Sequence, residues 1–521
     1  MRPLKLGIAF ASWTLALCAA ACGDPEEEKP GGSGASSTGA TGNTGNKSSG
    51  GKSTGEGGAD NTGNEATGGG DPVSMAGGEP VGDECAAAWQ GEVPAPTVEC
   101  DLDNLTDSGE TLSGDITQDM TLSSGMIYGL SGPTRVMPGV TLTIEPCVKI
   151  VGDAPTAVLV VMAGDYAGAA GGMPGVGAKI EAVGEPDAPI IFTSAAAPGD
   201  RLPGDWGGLM ILGNAISNGA SRTADVVTRP TIEGLTAATP YGWDTEDFND
   251  ESSGSLAYVR IEYVSREISA NEETNGLTFG SVGSGTTVHH VMVSNSNDDC
   301  FEWFGGAVNA SHLVAYNCDD DMFDTDRGYS GKVQFAFGRQ IEGTLETDSN
   351  GFEMDNGQGP ISRPRTLAEW SNVTLCGTKE EGAAGGNAPR VGMAFRSGVG
   401  GAITNTLVTG FDNGGMFVTV DVEDLITVTN STVFDNGAIY NTAAHTLGTT
   451  WFQDQEGNSI DAPDGLCDCF ADPPAPFPTA TIEGVAPAGF DDAAAGYQGA
   501  FPDAKPENNW MLGKWVDWSN E

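Results

Sequence analysis

Basic residues are scarce in this 521-residue chain. Only 23 Lys and Arg stand against 72 Asp and Glu, and with four His the formal net charge is −49. A chain of that sign repels phosphate backbones and anionic lipid, so nucleic acid and docking on a charged bilayer are excluded as partners. Cations and cationic partners remain open. Long apolar runs are also missing: beyond residue 21 none reaches the ~18 residues needed to cross a bilayer, which sets a transporter aside. No CxxC pair occurs and the four His lie apart from cysteine clusters, which argues against zinc and against a dithiol redox centre. No Ser-His-Asp arrangement and no phosphate-cradling glycine loop can be assembled. Amphipathic helices of useful length are absent between the strand-like runs, which disfavours helix-connected α/β folds.

What the chain does have begins with an export signal. Arg2 and Lys5 precede the apolar run Leu6 to Leu17, and Ala19-Ala20-Ala21 supply the small-residue exit, so residues 1–21 read as a leader. Ala19-Ala20-Ala21-Cys22 resembles a bacterial lipobox, which implies that Cys22 is acylated and opens the mature protein. Residues 22–84 are mostly Gly, Ser, Thr, Asn, Ala and Glu, with almost nothing apolar to bury, the composition of a disordered tether. At ~60 residues its root-mean-square reach is roughly 40–45 Å. Losing Arg2 and Lys5 with the leader leaves 21 basic residues against 72 acidic ones, a net of −51.

Ten cysteines are present, and setting aside Cys18 and Cys22 leaves Cys85, Cys100, Cys147, Cys300, Cys318, Cys376, Cys467 and Cys469. An even number in an exported chain implies disulfides. Cys85–Cys100 and Cys300–Cys318 are expected as local bridges. Cys467 and Cys469, two apart, are expected to pair elsewhere.

The middle of the chain repeats itself. Asn295 and Asn317, Asp299 and Asp321, Phe301 and Phe323, and His290 and His312 are each 22 residues apart, and Asn350-Gly351-Phe352-Glu353 answers again. The apolar anchors Leu277, Phe301, Phe323, Phe352 and Phe417 mark successive units, with room for one or two more before the last. A second strand precedes each anchor, as in Val288-His289-His290-Val291-Met292-Val293. Two or three short strands per ~22–24 residues, without hairpin turns, suit one coil of a parallel β-helix, whereas a propeller blade needs ~40–50 residues. Residues 85–465 are therefore expected to form the solenoid, with 85–139 as its N-terminal lead-in and 466–521 as a C-terminal closing segment. Such folds grow in one direction without a second core, and a monomer is expected.

Asp205-Trp206-Gly207-Gly208-Leu209-Met210-Ile211-Leu212-Gly213-Asn214-Ala215, Asn275-Gly276-Leu277-Thr278-Phe279-Gly280 and Asp324-Thr325-Asp326-Arg327-Gly328-Tyr329 resemble the signature of exported bacterial right-handed parallel β-helix proteins of pectin-lyase-like type. Gly496-Tyr497-Gln498-Gly499-Ala500-Phe501 is similar to that group's C-terminal piece. The resemblance implies the fold and carries no catalytic residues.

If Phe301, Phe323 and Phe352 point inward, strand alternation turns Glu302, Asp324 and Glu353 outward, with Asp326 and Asp355 two residues further on. Carboxylates ~4.8 Å apart repel by ~0.9 kcal/mol per pair even at the dielectric of water. A raised pKa, a nearby base or a bound cation relieves this. Arg327 is the one local base and cannot offset this many acids, so Ca²⁺, which takes six to eight oxygens, is the cation expected on these five. A solvated acidic face is the plain alternative. Asn297-Asp298-Asp299-Cys300 also resembles the Asp-Asp-Cys stretch of polygalacturonases, which makes Asp299 and Asp321 candidate hydrolytic carboxylates. Arg327, Lys332 and Arg396 are the candidate bases for a lyase. The Gly-His-Gly and Arg-Ile-Lys that accompany that stretch are missing. His290 and His312 are expected as a stacked wall, Asn295 and Asn317 as an asparagine ladder. Trp303-Phe304 is either a sugar platform or core.

The expected protein is a lipoprotein of the outer membrane or cell surface that binds glycan or another macromolecule on a strand-lined face, with cleavage of polysaccharide as the alternative. Cys22→Ala should release it from membranes into soluble fractions. A variant that still sediments with membranes contradicts the anchor.

Overall fold

The computed structural model describes residues 82–519, apart from 166–172, 225, 236–238, 270–271, 342–348, 379–389, 442–447 and 449. The leader, Cys22 and most of the expected tether lie outside the described residues. Strands Thr106–Ile116 through Thr432–Phe434 are joined into one 23-stranded parallel system, with two short antiparallel pairs beside it. This is the expected parallel β-helix.

Each coil has three faces. The first is built from short strands, among them Leu209–Leu212, Leu277–Val282, Phe301–Gly306, Phe323–Asp326, Phe352–Met354, Met393–Phe395 and Met416–Val418. The second and third come from long strands that bend midway, such as Gly254–Val264, Thr287–Ser296, Ala310–Cys318 and Lys332–Arg339. At the bends Tyr258, His290, His312, Phe335, Asn372 and Asn405 all adopt left-handed conformations, with φ between 50° and 60°. L-residues resist that region, Asn least. Stacking offsets the cost here: the His290 and His312 rings lie 4.2 Å apart and nearly parallel, between Tyr258 and Phe335. The expected wall is present. At the next corner Asn317 Nδ2 donates to Asn295 Oδ1 at 2.6 Å, the expected ladder.

Leu277, Phe301, Phe323 and Phe352 are in register and fully buried, and the rings of Phe301 and Phe323 sit 5.5 Å apart. The series continues to Met393 and Met416, so the expected anchor Phe417 is off by one residue. Met416, Phe417 and Val418 are all apolar, and alternation alone cannot say which one faces in. Trp303 is core, packed between Phe279 and Phe301. Phe304 is covered by Tyr241 of the long connection after Leu212, so neither aromatic is a sugar platform.

The solenoid begins earlier than the strand signals suggest. Strands Thr106–Ile116, Met120–Leu122 and Met126–Val136 already form rungs within the expected lead-in, hidden by Gly, Ser, Thr and Asp on their outer positions. A short helix, Gly82–Ala87, occupies the end of the expected tether. Residues 466–519 run back along the flank of the solenoid. Gln498 binds Thr432, Asn372 Nδ2 donates to the Tyr497 carbonyl, Arg260 pairs with Asp517, and Trp515 N–H reaches the Pro186 carbonyl. The apolar underside of this return, with Phe477, Phe501, Met511 and Trp515, covers Met292, Val314, Tyr316 and Phe337.

That return decides the disulfides. Cys300–Cys318 forms as expected, and Cys467 and Cys469 do pair elsewhere, with Cys85 and Cys376. The expected Cys85–Cys100 bridge is not present: Cys100 bonds Cys147, because Cys85 is carried to the returning segment 382 residues away.

Phe323→Ala should cost roughly 3–5 kcal/mol, the usual range for emptying a buried aromatic site. Denaturant unfolding reads it, and a loss under about 1 kcal/mol contradicts the stacked core.

Candidate functional site

The corner leading into the first face is held by a ladder of short polar side chains. Asp299 Oδ1 accepts from the Asp321 N–H at 2.9 Å, Asp321 Oδ1 from the Asn350 N–H at 2.5 Å, and Asn350 Oδ1 from the Val391 N–H at 2.9 Å. Each bond spans one coil and fixes the turn beneath it. The inward anchor follows two residues later, and the residue after that faces out.

The outward column is therefore in register as expected. Glu302 pairs with Asp324, and Asp324 with Glu353. Five acids were expected together, and the column brings Asp299 into the group as well. Carboxylate oxygens of Asp299, Glu302 and Asp324 all lie within 4.8 Å of one another, as do those of Asp298, Asp299 and Asp320. The expected open face is instead partly enclosed. Glu302 is 6% exposed, and although Asp324 keeps some surface, its Oδ1 is fully enclosed with no hydrogen-bond partner among the described residues. Asn275 Nδ2 donates to Glu302, and Glu302 shares a further hydrogen bond with Asp324.

Burial, reinforced by the neighbouring acids, drives the carboxyls of Asp298, Asp299, Glu302 and Asp324 well above the usual range. Asp355 is pushed up to about 7, by burial first and then by Asp326. Glu233 and Glu273 add to the negative field.

Arg327 is not the base that relieves the column. Among the described residues its guanidinium pairs only with Asp326, at 3.5 Å, and its left-handed backbone, φ 54°, turns the chain at the far edge of the face. Arg396, one coil beyond Glu353 and two beyond Arg327, pairs with Glu353 and lies 2.8 Å from Asp355. Lys332 is engaged with Glu369 on another face. Five of the acids thus divide: Glu353 and Asp355 share Arg396, Asp326 has Arg327 and the Gly357 N–H, and Glu302 and Asp324 have no cationic partner among the described residues.

A hard divalent cation fits the remaining trio. Oxygens bound to one Ca²⁺ at about 2.3–2.6 Å lie no more than about 5 Å apart, and the trio satisfies that. Asp299, Glu302 and Asp324 would be its protein ligands, with remaining positions open to water or ligand oxygens. The connection after Leu212 walls one side of this strip, Asn218 N–H donating to the Arg327 carbonyl and Asn218 Nδ2 to that of Pro364.

Residues 114–461 match the family described as the pectate-lyase like beta helix domain. The chain belongs to that family. No curated protein matches the sequence. Among solved structures the pectate lyase Pel9A is similar at 12% identity and a TM-score of 0.29, over 74% of this chain and 96% of that one. In this pectate-lyase-like chain the site residue that the repeat did not single out is Asn275. It occupies the corner turn, two residues before the inward anchor Leu277. Aligning the turns as well as the anchors would have found it.

These shifts have a sign. A carboxyl whose folded pKa is raised gains stability for the fold as pH falls through that value, so in chelator the melting temperature should rise between about pH 8 and 6.5. Below about 6.5 the trend reverses in part, because burial holds His290 down to about 2 and His312 to about 3, and unfolding then takes up protons. A melting temperature in chelator that falls steadily from pH 8 to 6.5 contradicts the enclosed column.

Proposed function

We propose that this protein is an exported, lipid-anchored binding module for polysaccharide, which it grips through a divalent cation, Ca²⁺ by preference, seated on the carboxylate column. The observation that carries this reading is the enclosed trio of Asp299, Glu302 and Asp324, in which Asp324 Oδ1 has no hydrogen-bond partner among the described residues. A cation supplies that partner and offsets the repulsion that otherwise has to be met by protonation. Its open coordination positions take hydroxyl or carboxylate oxygens of a sugar chain lying along the strip. Membership in the pectate-lyase-like family supports a polysaccharide as the ligand. The anchor at Cys22 and the tether give such a module reach away from the membrane.

Binding is favoured over cleavage by the way the chemistry-bearing groups are used. Arg327, Lys332 and Arg396, the bases considered for an elimination, are each held in an ion pair. Asp299 and Asp321 each give an oxygen to the backbone of the next coil, which suits scaffolding more than the acid–base pair of a hydrolase.

Purified protein should be retained by polysaccharide in Ca²⁺ and released by chelator, without new reducing ends or unsaturated products. Ca²⁺ at ~100 times its Kd should stabilise the fold by ~2.7 kcal/mol, and Asp324→Asn should blunt that shift. Retention unaffected by chelator removes the cation from the reading. Turnover of the polysaccharide replaces the binding module with an enzyme.

A further inference from the structure

A cavity of about 280 Å³ opens where the strand Val158–Val161 runs into the long connection after Leu212. The register from Val160 through Met210 and Thr278 to Glu302 puts three coils, about 14 Å, between that strand and the acidic column. Met162, Ala163, Val227 and Pro240 give the cavity apolar walls. Among the described residues its charged lining is one base, Arg229, and one acid, Asp165.

The Arg229 guanidinium is fixed in place. Its Nε donates to the Gly242 carbonyl at 2.9 Å, Nη1 to the Gly164 carbonyl at 2.8 Å, and Nη2 to Asn214 Oδ1 at 2.9 Å. Asn214 is itself held by Glu251, which accepts from its side-chain amide at 3.1 Å and from its backbone N–H. The guanidinium carbon also lies 5.8 Å from the centre of the Trp243 ring. A guanidinium carries five N–H donors, so one N–H on each Nη is left over. None of the three acceptors is a carboxylate. Burial lowers the pKa to about 10, with Glu251 and Asp165 opposing the shift, and the group stays cationic at neutral pH.

Asp165 is next in the chain to Gly164, whose carbonyl takes the Nη1 bond, yet its carboxylate makes no ion pair with Arg229 and no hydrogen bond among the described residues. A fixed fork with spare donors and an unpaired carboxylate therefore line one apolar cavity without meeting. A simple anion would satisfy the fork and be repelled by Asp165. A neutral sugar would leave both charges unmet. A ligand with a carboxylate and an ammonium on one carbon, and an apolar body, meets every wall, and a cavity near the small end of ligand sites suits one of modest size.

We propose that this cavity binds a free α-amino acid with an apolar side chain, its carboxylate on Arg229 and its ammonium on Asp165. The proposal does not rest on the polysaccharide reading. Calorimetric titration of purified protein with L-leucine, N-acetyl-L-leucine and L-leucinamide tests it. Wild type should bind leucine saturably and each blocked analogue roughly ten- to a hundredfold more weakly, the range for losing charge-assisted hydrogen bonds. Asp165→Asn should lose the preference for leucine over N-acetyl-leucine, and Arg229→Gln the preference for leucine over leucinamide. Asp165 is exposed and holds no structural bond, so its variant carries the test if Arg229→Gln does not fold. No saturable binding of leucine to wild type overturns the proposal. So do equal affinities for the three compounds, or an Asp165→Asn variant that keeps the full preference for leucine over N-acetyl-leucine.

Discussion

Parallel pairing at about 4.8 Å sets each residue over its counterpart in the next coil, and the rest of this structure depends on that constraint. Inside the coil the rule is favourable. Phe301, Phe323 and Phe352 stack on one another, and Trp303 and Trp370 fill the space beside them. At the corners it lets an otherwise disfavoured backbone repeat, because Asn295 and Asn317 bond across coils and His290 and His312 stack. Outside, the same rule sets Glu302 over Asp324 and Asp324 over Glu353, and the repulsion grows with every coil.

The molecule relieves that repulsion differently along the column. At the Glu353 end Arg396 spans two acids. At the Glu302 end there is amide donation from Asn275 and a hydrogen bond shared between carboxyls, and Asp324 Oδ1 is left over. A single strip thus grades from a satisfied ion-pair network into an unsatisfied pocket of acids. Unmet acid on one surface is the feature that a bound cation is suited to complete.

Much of the fold was legible because the constraint writes itself into spacing. Equal separations of Asn, Asp, Phe and His located the coils, the ladder and the wall. Where spacing gave no contrast the reading failed: Met416-Phe417-Val418 is apolar throughout, and the polar strands between Thr106 and Val136 hide their buried Leu112, Leu122 and Leu130 among Gly and Ser. Long returns are not legible at all, and Cys85 meets Cys467 only because residues 466–519 fold back along the flank. The same limit hid which base meets the column. Arg327 is adjacent to Asp326 in sequence, but in a solenoid the relevant neighbour lies a coil away, and that is Arg396.

The central claim is that enclosed, partly protonated carboxylates at this corner exchange protons for a divalent cation. Calorimetric titration of Ca²⁺ into metal-free protein at pH 7, repeated in buffers of different ionisation enthalpy, counts the protons released on binding. The account predicts saturable binding with release of about one proton or more per ion, abolished together with the binding heat in Asp324→Asn. Saturable binding without proton release, or no binding heat in any buffer, would contradict it.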